Sequence, residues 1–540
     1  MISRTRYSSE LLVLTVLCGF LFFFGLGNFG LLGADEPRYA QVAHEMFSRH
    51  DWITPTLGGK PWLEKPIFYY WEAMLAYSVF GVSDWAARLP SAVDAALMVF
   101  AVYLFLRRFR PSIALDGALI MASAAGVIGF ARAASTDMPL AAMLTIALLA
   151  WYAWQESGKK LNLALFYVSL ALGILAKGPI APFLAVAIIA LFAVAKGEFR
   201  LLQRTLWLPG CFLFCLVALP WFVAVQVRNP EFFRVFFLEH NLARFGTNLY
   251  RHPQPFWYYV PVTLLALAPW TVFAITALVG SVRAWWNERK EPARSEDSFL
   301  LFLVIWIIVP LVFFSISHSK LPGYILPALP AGTLLLAEFM RQRAAERPNL
   351  AWTVVHALLA SLLSVPAIIL LLLSAPMIQY VLFQHRIPWS NAVAISLASA
   401  LVLAIGIVLA LRTRFGLSML RLATLVPVIF VIAVLLRVGA PAVDATLSAR
   451  PVAREIEQLN SHHLPVAALR VSRETEFGLQ FYCNQSIPRY ELGLVPTEDH
   501  IVVAPEYLRP DIEKHTLGRK VLLLGSWKAQ RLEYYLVSSR

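Results

Sequence analysis

Long apolar blocks recur along most of the chain, separated by short polar stretches. Most blocks approach twenty residues, the length that an α-helix needs to cross the hydrocarbon core of a bilayer. The first block is too long for the core of a signal peptide and lacks a small-residue cleavage site, so we interpret it as a retained span. We predict about thirteen spans, at residues 11–32, 86–106, 112–131, 138–154, 161–175, 179–195, 206–225, 257–279, 299–314, 321–340, 352–373, 391–411 and 422–438.

Two long loops and a tail interrupt this pattern. The first loop covers residues 33–84 and contains an apolar stretch, 67–76, that we expect to form a helix lying in the membrane interface. The second covers residues 228–256. From residue 441 the apolar runs shorten to lengths typical of strands, with polar helical stretches between them. We therefore predict a polytopic α-helical membrane domain over residues 1–440 and a small α/β domain over residues 441–540.

Composition and charge place the chain in the membrane and orient it. It has 540 residues, of which 59% are hydrophobic and only 15% are charged, which excludes an ordinary soluble globular protein. The net charge of +13 could indicate nucleic-acid binding, but Lys and Arg recur in every second short loop, the pattern of cytoplasmic loops. We therefore expect no nucleic-acid partner. The N-terminus is predicted to be cytoplasmic, and an odd number of spans places the tail outside.

Charged residues that topology does not require lie at the predicted outer ends of the spans. The span interiors carry almost none, whereas a transporter would be expected to bury ionisable groups within its spans. The outer residues fall into five groups: Asp35, Glu36 and Arg38; Glu64 and Lys65; Asp137; His240 and Arg244; and Lys320 with Tyr324.

Structural roles could also explain some of these residues. Asp35 and Glu36 precede Pro37 and could stabilise the start of a helix. Asp137 could cap the fourth span, and Lys65 could extend its ammonium group to the lipid headgroups. Pro322 and Pro327 indicate a broken or tilted start to the tenth span.

The sequence lacks the motifs of several common enzymes. No GxxxxGK[ST], HExxH or GxSxG pattern is present, so ATP hydrolysis, zinc proteolysis and ordinary serine hydrolysis lose support. Cations mixed with a few acids at headgroup level suit a substrate that carries a phosphate on a lipid tail.

Five motifs between residues 10 and 340 resemble those of a known family. They are Asp-Glu-Pro-Arg-Tyr-Ala, Glu-Lys-Pro, Arg-x-x-x-x-Asp-x-Pro, His-Asn-Leu-x-Arg-Phe and Ser-Lys-Leu-Pro-x-Tyr-x-Leu-Pro. The chain thereby resembles the GT-C membrane glycosyltransferases, and among them the bacterial aminoarabinose transferases, which are related to protein O-mannosyltransferases. This resemblance implies an inverting enzyme of the bacterial inner membrane with its active site on the periplasmic side. It would transfer 4-amino-4-deoxy-L-arabinose from undecaprenyl phosphate to lipid A, a modification associated with polymyxin resistance.

The resemblance also implies roles for individual residues. Asp35 and Asp137, together with Glu36, are the expected catalytic acids. Lys65, Arg244 and Tyr324 match residues that contact the carrier phosphate, with Arg38 and Lys320 as helpers. Glu64 and His240 match a pair that binds a divalent metal, zinc or magnesium, although two ligands alone make a poor site.

Other functions stay open at this stage. The acceptor could be a protein or another envelope glycan instead of lipid A. The same scaffold could serve as a non-catalytic polyprenyl-lipid binder or flippase, while an ion-coupled transporter is disfavoured by the uncharged spans.

Overall fold

Helices make up most of the protein. The computed structural model describes residues 2–243, 254–288, 298–342, 349–374, 388–413, 419–460, 463–516 and 518–539. The α-helices of these residues are, in chain order, α1 (Ile2–Cys18), α2 (Asp35–Ser48), α3 (Phe68–Phe80), α4 (Asp84–Phe109), α5 (Ala114–Ser123), α6 (Ala125–Ala131), α7 (Asp137–Ser157), α8 (Lys160–Lys177), α9 (Ile180–Lys196), α10 (Arg200–Thr205), α11 (Leu208–Arg228), α12 (Tyr259–Ala266), α13 (Thr271–Glu288), α14 (Ser298–Ile316), α15 (Leu329–Gln342), α16 (Leu350–Leu362), α17 (Ser364–Ser374), α18 (Trp389–Leu411), α19 (Leu420–Val434), α20 (Ala440–Leu447), α21 (Arg450–Leu459), α22 (Arg473–Cys483) and α23 (Arg509–His515).

Shorter helical segments and strands complete the described chain. The π-helical segments are Gly19–Phe23, Arg234–Ala243 and Leu435–Gly439. The 3-10 turns are Pro111–Ile113, Phe256–Tyr258, Pro322–Ala328, Tyr490–Leu492 and Lys528–Gln530. The strands are β1 (Thr56–Leu57), β2 (Lys60–Pro61), β3 (Val466–Ala468), β4 (His500–Pro505), β5 (Lys520–Trp527) and β6 (Leu532–Ser538).

Apolar helices of membrane-spanning length confirm a polytopic membrane protein. Among the described residues, nine helical segments are long and apolar enough to cross a bilayer, or eleven if two bent helix pairs each count as one span. The bends are 62° after Ser123 and 117° after Ala266. Two shorter apolar helices, Tyr7–Phe23 and Ile180–Lys196, fall on further predicted spans. The predicted count of thirteen requires all of these to cross, and it stays a prediction.

The first predicted span is wrong at its end. We expected helix up to residue 32, but helical structure stops at Phe23 and residues 24–34 form turns and irregular backbone. Gly25, two residues after the stop, and Gly33 adopt φ angles of 64° and 61°, which are not helical and which residues with a side chain rarely reach. The irregular segment ends directly before Asp35.

Helix α4 shows how one long helix joins the two ends of the membrane domain. Ser83 caps its start by accepting a hydrogen bond from the Ala86 amide at 3.2 Å, and Arg107 and Arg108 lie in its last turn. Its 26 residues give a length of about 39 Å at about 1.5 Å per residue. The Asp84 end meets the tail, and the Arg107 end lies at the opposite side of the bundle.

The start of the tenth predicted span is irregular, as its prolines indicated. Pro322–Ala328 form a 3-10 turn, and the α-helix begins only at Leu329. This turn brings Gly323 and Tyr324 close to the start of α7.

The tail is the predicted small α/β domain. Its four strands form one sheet in the order β3-β4-β6-β5, in which β3 and β4 are parallel and the other pairs are antiparallel. Alternate strand residues such as Ile501 and Val502 are buried in two separate hydrophobic clusters, one on each face of the sheet. The last apolar helical run continues to Leu447, so the boundary predicted at residue 440 falls inside it.

The tail packs directly on the first loop. Phe481 of α22 lies in a hydrophobic cluster with Tyr77 of α3, and its ring lies 6.2 Å from that of His44 in α2. The tail therefore lies on the same side of the molecule as Asp35.

Candidate functional site

Four of the predicted site residues, Asp35, Arg38, Asp137 and Tyr324, lie where the starts of α2 and α7, the end of α8 and the 322–328 turn meet. Asp35 is the first residue of α2, and its carboxylate accepts a hydrogen bond and ion pair from the Arg38 guanidinium. The Asp35 side chain is 56% exposed. A carboxylate at this place is open to a substrate while it is held by a cation.

Aromatic rings surround the Arg38 guanidinium. Its central carbon lies 5.3, 5.2 and 5.6 Å from the ring centroids of Tyr39, Trp62 and the tail residue Phe477. Burial opposes its ionisation, but Tyr39 and the carboxylates of Asp35 and Glu64 outweigh burial and raise the pKa of Arg38 above its usual value. Arg38 therefore stays a cation in the site.

Three buried donors near Arg38 have no hydrogen-bond acceptor within the described chain. They are the Nε–H of Arg38, the Nε1–H of Trp62 and the hydroxyl of Tyr70. A buried donor without an acceptor costs about 1–3 kcal/mol. An oxygen-rich ligand, such as a phosphate or a sugar, would satisfy these groups.

Asp137 lies in a second cluster. Its carboxylate pairs with the Lys177 ammonium, and the Ser135 hydroxyl donates to it at 2.9 Å. The Lys177 ammonium also lies 4.6 Å from the centre of the Tyr324 ring. Asp137 does not act as the helix cap that we considered: it is the first residue of α7, and its carboxylate faces Lys177.

The sequence reasoning missed Lys177. It ends α8, immediately before Gly178, on the predicted outer side of the membrane. The same criterion that selected Lys320, a cation where topology requires none, could have found it.

Gly323 allows the 322–328 turn to approach Asp137. A Cβ atom at this position would lie 2.9 Å from Cγ of Asp137 and 2.8 Å from the Phe130 ring. Both distances are shorter than Cβ contacts in real proteins, so the turn needs glycine here.

Glu36 occupies a different environment from Asp35, although the two residues are adjacent. Its carboxylate accepts hydrogen bonds from Arg88 at 2.6 and 3.2 Å and from the backbone amides of Leu32 and Ala134 at 2.7 and 2.8 Å. Its side chain is only 10% exposed. Glu36 therefore holds the backbone around the site, and its expected catalytic role stays a prediction.

Glu64 lies close enough to act electrostatically on the Asp35–Arg38 cluster, and the adjacent Lys65 on the Asp137–Lys177 cluster. Glu64 Oε1 lies 3.6 Å from Nε2 of His240, as the predicted pair requires. Within the described residues no third His, Cys, Asp or Glu completes a metal site there, so we derive no chemical step through a metal.

Lys320 lies beside an apolar groove. The groove has a volume of about 700 Å³ and is lined by residues of the 256–260 and 311–320 regions, including Trp257, Val312 and His318. The Lys320 ammonium donates to the Ser317 carbonyl at 2.5 Å, and burial lowers its pKa. Arg244, predicted to bind the carrier phosphate, lies outside the described residues.

Comparison with known proteins identifies the class to which this fold belongs. A crystal structure of ArnT from Cupriavidus metallidurans bound to undecaprenyl phosphate matches with a TM-score of 0.76 and 23% identity over 98% of each chain. Its apo state matches with a TM-score of 0.75 and 22% identity, also over 98% of each chain. The chain is a polytopic membrane protein with the GT-C fold.

Sequence relatives make the likeness more specific. The family model for dolichyl-phosphate-mannose-protein mannosyltransferases matches residues 9–236. An undecaprenyl phosphate-α-4-amino-4-deoxy-L-arabinose arabinosyl transferase from Pseudomonas paraeruginosa is 32% identical over 345 residues, which are 63% of this chain and 61% of that protein. A protein of the same name from Aeromonas hydrophila is 34% identical over 328 residues, 59% of this chain and 58% of that protein. The chain thus spans about three fifths of these relatives, and the resemblance to the aminoarabinose transferase group is confirmed.

Proposed function

We propose that the protein is an inverting glycosyltransferase. Its donor is 4-amino-4-deoxy-L-arabinose carried on undecaprenyl phosphate, and its acceptor is lipid A. The observation that carries this proposal is the convergence of Asp35, Arg38, Asp137 and Lys177, from three separate helices, in one site on a GT-C fold. The names of the arabinosyl transferase relatives support the donor sugar.

The cations of the site suit the leaving group. The bond between the anomeric carbon and the phosphate oxygen breaks, and the phosphate keeps the electron pair. The departing undecaprenyl phosphate is a monoester with a second pKa of about 6, so it needs no general acid at neutral pH. The phosphate needs positive charge, which Lys65 and Arg244 are proposed to supply, with Arg38 and Lys320 as helpers. Tyr324 is proposed to contact the phosphate beside them.

The acids act on the sugar and the acceptor. The acceptor oxygen forms the new bond from the opposite face of the anomeric carbon, which inverts its configuration. The transition state resembles an oxocarbenium ion, and a carboxylate beside it lowers its energy. We propose Asp35 for this role because its side chain is 56% exposed, whereas the Asp137 side chain, paired with Lys177, is only 19% exposed.

The nature of the acceptor decides whether Asp35 also moves a proton. A hydroxyl acceptor loses a proton as it attacks, and Asp35 would accept it. A lipid A phosphate is already an anion, so Asp35 would then only stabilise positive charge.

The groove beside Lys320 supports a lipid substrate. Its walls are mostly apolar, and Lys320 is one of the residues that line it. A prenyl or acyl chain fits such walls, with its phosphate toward the cation.

We also propose a location and a cofactor requirement. The protein lies in the bacterial inner membrane with its N-terminus in the cytoplasm and both Asp35 and the tail in the periplasm. Transfer is proposed to need no metal ion, so prolonged treatment with EDTA should leave the rate within about twofold. A loss that zinc or magnesium restores would assign a metal to Glu64 and His240.

Transfer by the purified full-length protein in nanodiscs tests the proposed function. Undecaprenyl phosphate carrying radiolabelled aminoarabinose is mixed with lipid A, and the label in lipid A is measured by mass and by counting. We expect labelled lipid A and free undecaprenyl phosphate in equal amounts. Label that stays on the carrier in the presence of lipid A, a peptide pool and an envelope glycan would overturn the enzyme assignment, while transfer to one of the last two would replace the acceptor.

A further inference from the structure

The segment of residues 24–34 links the end of the first helix to Asp35 without helical structure. Irregular backbone in a membrane domain leaves amide and carbonyl groups that need hydrogen-bond partners from the protein. Its partners therefore decide how firmly the start of α2 is held.

Three arginines from different parts of the chain hold the carbonyls of this segment. Together they donate to six consecutive carbonyl oxygens, those of residues 25–30. Arg132 donates to Gly25 at 3.0 Å, Arg88 to Leu26, Phe29 and Gly30 at 2.9, 2.8 and 2.8 Å, and Arg450 to Gly27 and Asn28 at 3.0 and 3.2 Å.

Arg450 is the arginine that the tail contributes. It is the first residue of α21, and acids on both sides fix its guanidinium. Asp84 accepts from it at 2.7 Å and Asp444 at 2.8 Å. Arg450 is 7% exposed, so its guanidinium is held in one place by bonds on several of its N–H groups.

The tail holds the amides of the same segment. The hydroxyl of Tyr482 accepts from the Leu31 amide at 2.7 Å and donates to Asp84 at 2.5 Å. Asp444, near the end of the last apolar helical run, accepts from the Gly30 amide at 2.7 Å. The tail therefore binds both the donors and the acceptors of the backbone just ahead of Asp35.

Gly30 allows this close contact. A Cβ atom there would lie 2.6 Å from the Tyr482 hydroxyl and 2.9 Å from Cβ of Arg450, and it would also clash with the Ser448 hydroxyl. Any side chain at residue 30 would push the segment and the tail apart.

We propose that Arg450, together with Tyr482, is a positioning residue of the site. The tail holds residues 27, 28 and 31 through these two side chains and thereby fixes the Asp35 carboxylate four residues after Leu31. This inference rests on the proposed function as far as it concerns transfer. Neither residue touches the reacting atoms.

Two variants and one control test the inference. Arg450→Ala removes the bonds to Gly27 and Asn28, and Tyr482→Phe removes one hydroxyl and is the milder change. Arg454→Ala serves as the control, because Arg454 lies one turn further along α21 and is exposed. Each full-length protein is studied in nanodiscs by amide hydrogen exchange of residues 24–34 and by the kinetics of sugar transfer.

We expect both variants to exchange the amides of residues 30–32 about tenfold or more faster than the wild type. The kcat of Arg450→Ala should fall about 10- to 100-fold, while the KM for the lipid-linked donor stays within about threefold, because a displaced acid slows the chemical step. Arg454→Ala should match the wild type in both measurements.

The two measurements separate the failure of this inference from the failure of the proposed function. Unchanged exchange in both variants, or faster exchange with unchanged kcat, would overturn the positioning role. Loss of protection throughout α7 as well would mean that Arg450 only supports folding, and would also overturn it. A wild-type protein that transfers no sugar would overturn the proposed function, and exchange alone would then decide whether the tail holds the segment.

Discussion

One charged pair from each end of the membrane domain shows how different the surroundings of such pairs are. At the end that carries Asp35, the Arg88–Glu36 pair has side chains only 0% and 10% exposed. At the other end, the side chains of the Arg421–Asp116 pair are 33% and 23% exposed. Partly exposed pairs contribute little to stability, whereas buried charges are costly and persist where structure or function requires them. Arg421 can serve topology alone, but the fully buried Arg88 cannot be explained in that way.

The largest effect should come from the exposed acid at the Asp35 end. We expect Asp35→Asn to lower kcat for sugar transfer about a thousandfold, because the amide can neither accept a proton nor stabilise positive charge. Initial rates with the lipid-linked donor measure this. Activity above about a tenth of wild type in a folded Asp35→Asn protein would remove Asp35 from catalysis.

Its neighbour provides the contrast. Glu36→Gln leaves the buried Arg88 without its carboxylate, a change that costs about 3–5 kcal/mol. Its main result should be a lower melting temperature, whereas Asp35→Asn should melt close to the wild type. Equal melting temperatures for the two variants would contradict the division between an exposed acid and a framework acid.

A smaller loss is expected from the Asp137–Lys177 pair. Asp137→Asn and Lys177→Met should each lower kcat about a hundredfold, since each leaves the other group unpaired beside Tyr324. Because the two residues act as a unit, the double variant should be no slower than the worse single variant. Additive losses would show that the two residues act separately.

A change of one methyl group tests how tightly the site is packed. Gly323→Ala should lower kcat about tenfold, because its Cβ would displace the Asp137 carboxyl group by a few tenths of an ångström or more. Gly406→Ala is the matched control, since no atom lies within 4 Å of a Cβ there. Gly323→Ala with a wild-type kcat would contradict the close packing of the turn on Asp137.

The membrane architecture was largely predictable from the sequence, because a helix that crosses the bilayer needs a block of about twenty apolar residues. Each predicted span falls on an apolar helix or a bent pair, and the strands of the tail fall on its short apolar runs. Residues 24–32 were misassigned because they are as apolar as a span. Hydropathy contains no information on backbone angles, so it could not show that Gly25 and Gly33 adopt positive φ angles. It also could not show that arginines from distant parts of the chain bind the backbone between these glycines.

The site was only partly predictable for a similar reason. Charge at a span end selected Asp35 and Asp137, but it could not separate Asp35 from Glu36, because their difference lies in partners distant along the chain. Arg88 shows this most clearly, since it lies inside α4 and its partners include the carbonyls of residues 26, 29 and 30. Lys177 was missed because we did not apply the charge criterion to the short connection after α8.

The smallest effect should come from the end opposite the site. Arg421→Ala removes a partly exposed pair with Asp116, which contributes about 1 kcal/mol or less, and it leaves every residue near Asp35 in place. We expect kcat and KM to stay within about twofold of wild type, with a melting temperature lower by a few degrees at most. If Arg421→Ala instead slowed transfer as strongly as Lys177→Met in the same assay, the charges at the two ends would be coupled. The burial of a charged side chain would then not indicate whether that side chain serves the site or only the membrane topology.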